Sequence, residues 1–478
     1  MPASSIPIIA IVGGGFSGSL VAAQLLRQSS QPLIIKLIER NPHFLHRGIA
    51  YSTHSSSHLL NVPAGNMSAF PDDPGHFLRW VQVHQITLID PPWVTDTSSN
   101  SFISRRGYGQ YISWVVEESL KVGNPNAKLD IIQDEVVKIN QSKQGATLSL
   151  LGSEQIHAQK VILAIGNFPP ADPPVSENVS LNKSCYVSNP WSEDSKMSWD
   201  DVASCLIVGA GLTMVDWVLS LHDKNFRGKI HVVSRRGLCP KEHDKVTPVQ
   251  LWLNYKEQQP ITIRSILKQF RMLMNTPGPA KDNWRGLIDA LRPFSQEIWQ
   301  ALSLSEQRRF LRHVRSFWDN HRHRLPPITA AILSDLEQSG QLIFYRGRVE
   351  SFDDSNGNVQ VIIRSRGQKE NITLRVDRVL NCTGGECDYR KLQHPLIKGL
   401  FIDGLAQPDA IGFGLSVDSN GALLDGANHK SSIIYTLGPP QKGTLWETTA
   451  VPEIRGQAYR LAEELLGAMS IDPANPYQ

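Results

Sequence analysis

Ile8-Ile9-Ala10-Ile11-Val12-Gly13-Gly14-Gly15-Phe16-Ser17-Gly18 decides how the first half of this chain is read. The apolar run Ile8–Val12 has the pattern of a strand buried on both faces. Gly13, Gly15 and Gly18 then stand at the GxGxxG positions, and Leu20 to Arg27 reads as a helix. Strand, glycine turn and helix N-terminus in that order make an anion site. Backbone N–H groups and the helix dipole reach a pyrophosphate only where no Cβ intervenes. Leu33–Ile38 is the next apolar strand, and it ends in Glu39. A carboxylate about 20 residues beyond the last glycine accepts hydrogen bonds from ribose hydroxyls and repels a 2′-phosphate.

The pattern returns at residue 205. Cys205–Val208 is a strand, Gly209-Ala210-Gly211 a turn and Leu212–Leu221 a helix, with Met214 in place of the third glycine. The following strand, Lys229–Val233, ends in Ser234-Arg235-Arg236. A hydroxyl and two guanidiniums suit the 2′-phosphate of NADPH, so the two turns are expected to take different nucleotides.

Each motif opens the same series. After the first come Leu129–Asn140, strands near Ala146–Leu151 and Gln155–Gln159, and a strand from Val161 that stops at Gly166. After the second come Leu342–Ser351, Val359–Arg364, Asn371–Val376 and a strand from Val379 that stops at Gly384. One βαβ–meander–β plan is used twice, with both closing glycines expected beside a nucleotide crevice. The fold expected is α/β, with two nested Rossmann-like domains and a helical insertion in the second. The first domain is placed at 1–200 and 378–478, the second at 201–377 and the insertion at 241–338. Within the insertion, Ile261–Met274, Trp284–Leu291 and Ser305–Trp318 have helical spacing, and Pro326-Pro327 precedes a last helix, Ile328–Gln338. Its two readings are a lid on the substrate cavity and a homodimer face.

Composition narrows the function. With 48 Lys+Arg against 45 Asp+Glu, the chain is too balanced for a surface that neutralises a nucleic-acid backbone. Hydrophobic residues are 41%, enough for large cores, but no apolar run approaches the ~18 residues of a membrane span. Five cysteines exclude a disulfide scaffold and fit a reducing compartment, so a cytoplasmic protein is expected.

Two nested dinucleotide motifs resemble the two-dinucleotide-binding flavoproteins, which implies FAD in the first site and NAD(P)H in the second. Three blocks sharpen the likeness. They are Arg47-Gly48-Ile49-Ala50-Tyr51 through Asn61 and Met67-Ser68 to Phe77, Gly209 to Asp216, and Gly443-Thr444-Leu445-Trp446-Glu447-Thr448-Thr449 to Arg455. Together they resemble the FAD–NAD(P)-binding protein family, which includes nitrosuccinate-forming aspartate N-monooxygenases. Met67–Trp80 and Arg105–Tyr111 are more distantly similar to flavin-pocket segments of ornithine N-hydroxylases. Many relatives end in a Gly-Asp that contacts the flavin's ribityl chain, whereas this chain has Gly438-Pro439. The fingerprint FxGxxxHxxx(Y/W) of flavin-containing monooxygenases is absent.

The motifs and the resemblance together imply cofactor contacts at Gly13, Gly15, Phe16, Ser17, Gly18, Glu39, Arg40, Asn61, Met67, Gly166, Gly209, Gly211, Leu212, Thr213, Ser234, Arg235, Arg236, Gly384 and Gly438. They imply hydride transfer from NADPH to FAD. The reduced flavin then meets O₂ in a monooxygenase acting on the nitrogen of a small, anionic amine or amino acid. The alternatives are an NAD(P)H:acceptor reductase and a non-catalytic nucleotide-binding interaction protein. No catalytic residue is identified. Arg322 and Arg324 are candidates to clamp a substrate carboxylate. His313 and His321, read on one helix face, lack the partners of a metal site. Cys382 and Cys387 have the spacing of some disulfide reductases, but Cys382 reads as buried packing.

Overall fold

The computed structural model describes residues 6–84, 97–175, 184–192, 198–250, 260–354 and 358–470. Part of the expected insertion, 251–259, lies outside the described residues. The chain forms two units, Met1–Asn167 with Cys387–Gln478, and Phe168–Glu386.

In chain order the first unit opens with β1 (Ile8–Val12), α1 (Phe16–Gln28), β2 (Leu33–Ile38), a short α2 (Gly48–Tyr51), α3 (His76–His84) and α4 (Arg105–Val122). Strands β3 (Ala127–Ile132), β4 (Val136–Gln141), β5 (Ala146–Leu150), β6 (Gln155–Ala158) and β7 (Lys160–Leu163) follow. The second unit runs β8 (Tyr186–Val187), β9 (Ser204–Val208), α5 (Leu212–Asp223) and β10 (Lys229–Ser234). Next come α6 (Ile263–Asn275), α7 (Trp284–Leu291), α8 (Ser295–Ala301), α9 (Leu304–His313), α10 (Arg315–Arg322) and α11 (Pro327–Gln338). It closes with β11 (Leu342–Asp353), β12 (Val359–Ser365), β13 (Asn371–Val376) and β14 (Arg378–Asn381). Back in the first unit are α12 (Pro395–Ile402), β15 (Ala422–Leu424), β16 (Lys430–Thr436), α13 (Lys442–Leu445) and α14 (Val451–Ser470).

The first sheet has the order β15-β16-β7-β1-β2-β3, parallel except at its β15 edge. Its central strands are β-branched and buried because α1, α4 and α14 cover them. Leu20, Leu25, Tyr108, Tyr111, Ala458 and Leu465 share one core with Ile9 and Ile35. The second sheet runs β13-β12-β11-β10-β9-β14-β8. One core, with Met214, Val218 and Leu333, lies among α5, α11 and the strands. Another joins Val208, Val233 and Val361.

The repeated plan is present, with one difference between the halves. In the second unit a single long β11 pairs parallel with β10 and then antiparallel with β12. In the first unit the segment expected as one strand, Leu129–Asn140, is two: β3 joins the parallel sheet and β4 starts a separate β4-β5-β6 sheet. The exchange between units falls at 167/168 and 386/387, before the expected 200/201 and after the expected 377/378, so the second unit is the longer for it at both ends. Pairing explains the shift, because β9 binds β14 and β14 binds β8, which draws both flanking strands into the second sheet.

The stretch Ser305–Trp318 is also not one helix. Phe317 N–H, which in a continuous helix would donate to the His313 carbonyl, donates to Val314 instead. The His313 carbonyl accepts from an Arg236 Nη at 3.1 Å. A side-chain donor has taken the acceptor that would have carried the helix on, and α9 turns into α10 at Val314. His313 and His321 therefore stand on different helices, which corrects their placement on one face.

Candidate active site

Gly13 and Gly209, the first glycines of the two motifs, stand where glycine is unavoidable. Their φ angles are +102° and +109°. A Cβ at Gly13 would overlap the Ala164 carbonyl, standing 2.9 Å from its carbon; at Gly209 it would stand 2.7 Å from the Cys382 carbonyl carbon. Each first strand therefore turns against the end of the strand beside it, β7 or β14. Gly18 leaves room for α1 to lie on β1, since a Cβ there would come within 3.1 Å of Ile11 Cγ2 and 3.2 Å of Ala164 Cβ. In the second unit Met214 is accommodated at this position, fully buried in the core.

Both helices begin without a side-chain cap. Gly15 and Gly211 offer none to α1 and α5, whereas Ser104, Thr262, Asn283 and Ser303 cap α4, α6, α7 and α9. Neither uncapped first turn holds an acidic residue. Their N–H groups are left for an anion. Space is left as well: a Cβ at Gly166, Gly211 or Gly384 would meet no atom within 4 Å. Gly15 is different, because its Cβ would lie 3.1 Å from Gly48 Cα, where the Arg47–Tyr51 block covers the turn.

The first turn is braced from three sides. Glu39 Oε2 accepts from Gly14 N–H at 2.9 Å, and Oε1 accepts from Asn41 N–H at 3.0 Å. A carboxylate has about four lone-pair sites, so both bonds leave capacity for a ribose hydroxyl. The Gly14 carbonyl accepts from His46 N–H at 2.7 Å and from Ser19 Oγ at 3.0 Å. His46 Nδ1 lies 2.8 Å from that Oγ. Because the hydroxyl proton goes to Gly14, Nδ1 is the donor of this last bond. Burial, with the nearby Arg47 charge, holds the His46 imidazole down at about 4. Ser19 and His46 are braces of the turn that sequence reading missed; the one signal was their place directly after Gly18 and directly before the Arg47 block.

Gly438 comes close to Ser17, whose Oγ would lie 3.1 Å from a Cβ there. Its N–H donates to Gln457 Oε1 at 2.8 Å, Gln457 Nε2 donates to Thr448 Oγ1 at 2.6 Å, and Thr448 Oγ1 donates to the Gly438 carbonyl at 3.2 Å. This closed ring ties the end of β16 to the Gly443–Arg455 block, where a Gly-Asp stands in many flavoproteins. Within the block, Trp446 is buried at φ +60°, ψ −74°, a conformation that costs a bulky residue on the order of 1–3 kcal/mol. Phe16, Ser17 and Met67 are buried, Met67 in the main core; Asn61 is half-buried. Arg40 is exposed and pairs with Glu135 at 3.4 Å.

In the second unit Leu212 and Thr213 form the first turn of α5 and are half-buried. Ser234 Oγ accepts from Gly237 N–H at 3.0 Å, closing the turn after β10. Burial and then the charges of Arg315, Arg348 and Arg236 push the Arg235 guanidinium below its ordinary value, with Asp319 opposing them. Arg236 is spent on the insertion: besides bonding His313 it lies 4.6 Å from the Phe317 ring centre. Arg315 and Arg348, two residues far away in sequence, thus stand close enough to Arg235 for their charges to act on it, alongside Arg236.

Arg324 is not available as a substrate clamp. It is buried, donates to both Asp289 oxygens at 3.1 and 2.8 Å and to the carbonyls of His321 and Arg285. It fastens α10 to α7. Arg322 ends α10 within the same insertion and is half-buried. Cys382 is buried in the second unit, and burial, Asp216 and Cys205 raise its thiol far above the ordinary range; Cys387 belongs to the first unit.

Residues 10–168 match a family model described as FAD-NAD(P)-binding. No curated protein matches the chain. Among solved structures, an ornithine N-hydroxylase from Kutzneria sp. 744 is 14% identical with a TM-score of 0.64, over 98% of this chain and 100% of that one. An ornithine hydroxylase from Pseudomonas aeruginosa is 13% identical with a TM-score of 0.66, over 97% and 100%. An L-lysine 6-monooxygenase from Pseudomonas syringae is 16% identical with a TM-score of 0.63, over 98% and 100%. Residues 10–168 are thus similar to the FAD-NAD(P)-binding family, and the chain has, along nearly its whole length, the fold of these ornithine and lysine oxygenases.

Proposed function

We propose that this protein is an FAD-dependent oxidoreductase that takes hydride from NADPH and oxygenates the nitrogen of a small amine or amino acid. The observation that carries this reading is the contrast between two uncapped glycine turns, one backed by Glu39 and the other by a group of guanidiniums around Arg235. The first suits a nucleotide with free ribose hydroxyls, as in FAD; the second suits a 2′-phosphate. The likeness in fold to amino-acid oxygenases supports the substrate class.

The first unit would hold FAD through Gly13, Gly15, Phe16, Ser17, Gly18 and Glu39, with Asn61, Met67, Gly166 and Gly438 around it. The second would hold NADPH through Gly209, Gly211, Leu212, Thr213, Ser234, Arg235 and Gly384. When bound, FAD accepts the hydride and supplies the reaction with O₂. The chain's own part is to fix the pyrophosphates on the α1 and α5 N–H groups, to choose each nucleotide by the charge at the second strand, and to hold both turns rigid. Ser19, His46 and Glu39 do this for the first turn. Among the described residues no helix is long and apolar enough to cross a membrane.

The test is direct. Purified protein is expected to be yellow, to bleach anaerobically with NADPH, and to reoxidise in air with oxygenated amine formed in proportion. Release of all reducing equivalents as hydrogen peroxide with every amine and amino acid tried would favour the reductase, and failure to bleach would favour a binding protein. Arg235→Ala is expected to raise KM for NADPH far more than for NADH; equal effects would remove the reason for preferring the phosphorylated nucleotide.

A further inference from the structure

The helical insertion interrupts the second unit between β10 and β11, and its α9–α10 corner sits on the arginine motif that ends β10. Arg236 makes that corner. It bonds the His313 carbonyl, lies over the Phe317 ring, and leaves Arg315 as the first residue of α10. Arg315 and Arg348 are both close enough to Arg235 for their charges to act on it. Parallel pairing of Ser234 with Arg346 brings the Arg348 end of β11 alongside the end of β10.

This is an expensive arrangement for a protein with no anion to bind. The charges of Arg315, Arg348 and Arg236 all act on Arg235, and Arg315 is a cation at the positive end of a helix. Asp319 is an opposing carboxylate: it accepts from Arg315 Nε at 3.3 Å, and its charge acts on Arg235 against those of the arginines. A dianionic phosphate among Arg235, Arg315 and Arg348 would reverse the balance, and guanidiniums provide the forked donors that its oxygens take.

We propose that the insertion is part of the nucleotide site: Arg315 on α10 binds the ribose 2′-phosphate together with Arg235 and Arg348, and the bound phosphate fastens the α9–α10 corner to the Rossmann sheet. This rests on the NADPH reading above and extends it by giving the insertion a role in choosing the nucleotide. Neither residue belongs to the βαβ fingerprint itself.

The experiment is calorimetric titration of the full-length protein with adenosine 2′,5′-bisphosphate and with 5′-AMP. The wild type is expected to prefer the bisphosphate. Arg315→Gln is expected to weaken the bisphosphate by about tenfold or more while leaving 5′-AMP within about twofold, because one charge-assisted bond is lost from one ligand only. Arg315→Lys, which keeps the charge and loses the fork, falls between. Asp319→Asn removes the opposing carboxylate and is expected to tighten the bisphosphate by about threefold, a gain that misfolding does not imitate. Hydrogen exchange across 304–322 is expected to slow with the bisphosphate and not with 5′-AMP. Unchanged bisphosphate affinity in Arg315→Gln and Asp319→Asn overturns the proposal. A wild type that binds the two ligands equally overturns the NADPH reading instead.

Discussion

His46 makes the first nucleotide turn sensitive to acid by an amount the structure allows to be worked out. Its imidazole is largely buried, it holds Ser19 Oγ, and its ring is kept neutral down to about 4 against about 6.5 in an unfolded chain. Because the folded value is the lower one, the unfolded state binds more protons between the two. Stability from this residue is therefore complete above pH 6.5 and is lost as the pH falls toward 4. Between pH 6.5 and 4.5 the loss is about 2 kcal/mol, or about a 30-fold rise in the opening equilibrium. His46→Asn separates titration from geometry: asparagine accepts the left-handed backbone at φ 64°, and its amide donates to Ser19 in place of Nδ1. The assay is hydrogen exchange in peptides from β1 and α1, corrected for intrinsic rate, since this reports the first unit by itself. His76 and His394, also lowered by burial, titrate in both proteins, so the difference isolates His46. Wild-type protection is expected to fall about 30-fold more than that of the variant over this range. Equal losses in the two proteins would refute the buried, neutral imidazole as a brace of the turn.

Three further outcomes are expected. Gly18→Ala places a methyl against the Gly13 carbonyl oxygen and between Ile11 and Ala164, where no rotamer relieves it. It is expected to cost about 3 kcal/mol and to yield colourless protein, read by thermal unfolding and visible absorbance. Asp289→Asn weakens the anchor of buried Arg324 and is expected to lower stability by about 1–3 kcal/mol with KM for the amine unchanged; a raised KM at full stability would return Arg324 to the substrate. Cys382→Ala with Cys387→Ala is expected to leave NADPH oxidation intact, and its loss in a folded variant would point to dithiol chemistry.

The elements nearest each motif were the most legible. Trp284–Leu291 is the helix that periodicity predicts, two others differ from expectation by a residue or two, and the stretch expected as Ser305–Trp318 breaks at Val314 and runs on to Arg322. That break was invisible because its cause, Arg236, lies 77 residues earlier in the chain. Leu129–Asn140 failed for a related reason. Apolar residues continue through it, but the first half pairs with β2 and the second with β5, and pairing partners are not written in a strand's own pattern. Arg324 was read as a candidate substrate clamp; its burial against Asp289 was not readable.

The two glycine turns, their order and the opposite charge at their second strands were settled by sequence alone, because each depends on residues within one βαβ unit, where steric exclusion at a glycine and the charge of the next strand end act locally. What tertiary structure decided was which side chains reach those turns. The brace of His46 and Ser19, the ring of Gly438, Gln457 and Thr448, and the company of Arg315 and Arg348 around Arg235 all join segments distant in the chain. Contacts of that kind exist only once the cores have packed, since burial and long-range pairing bring together groups whose spacing in sequence carries no information about their distance.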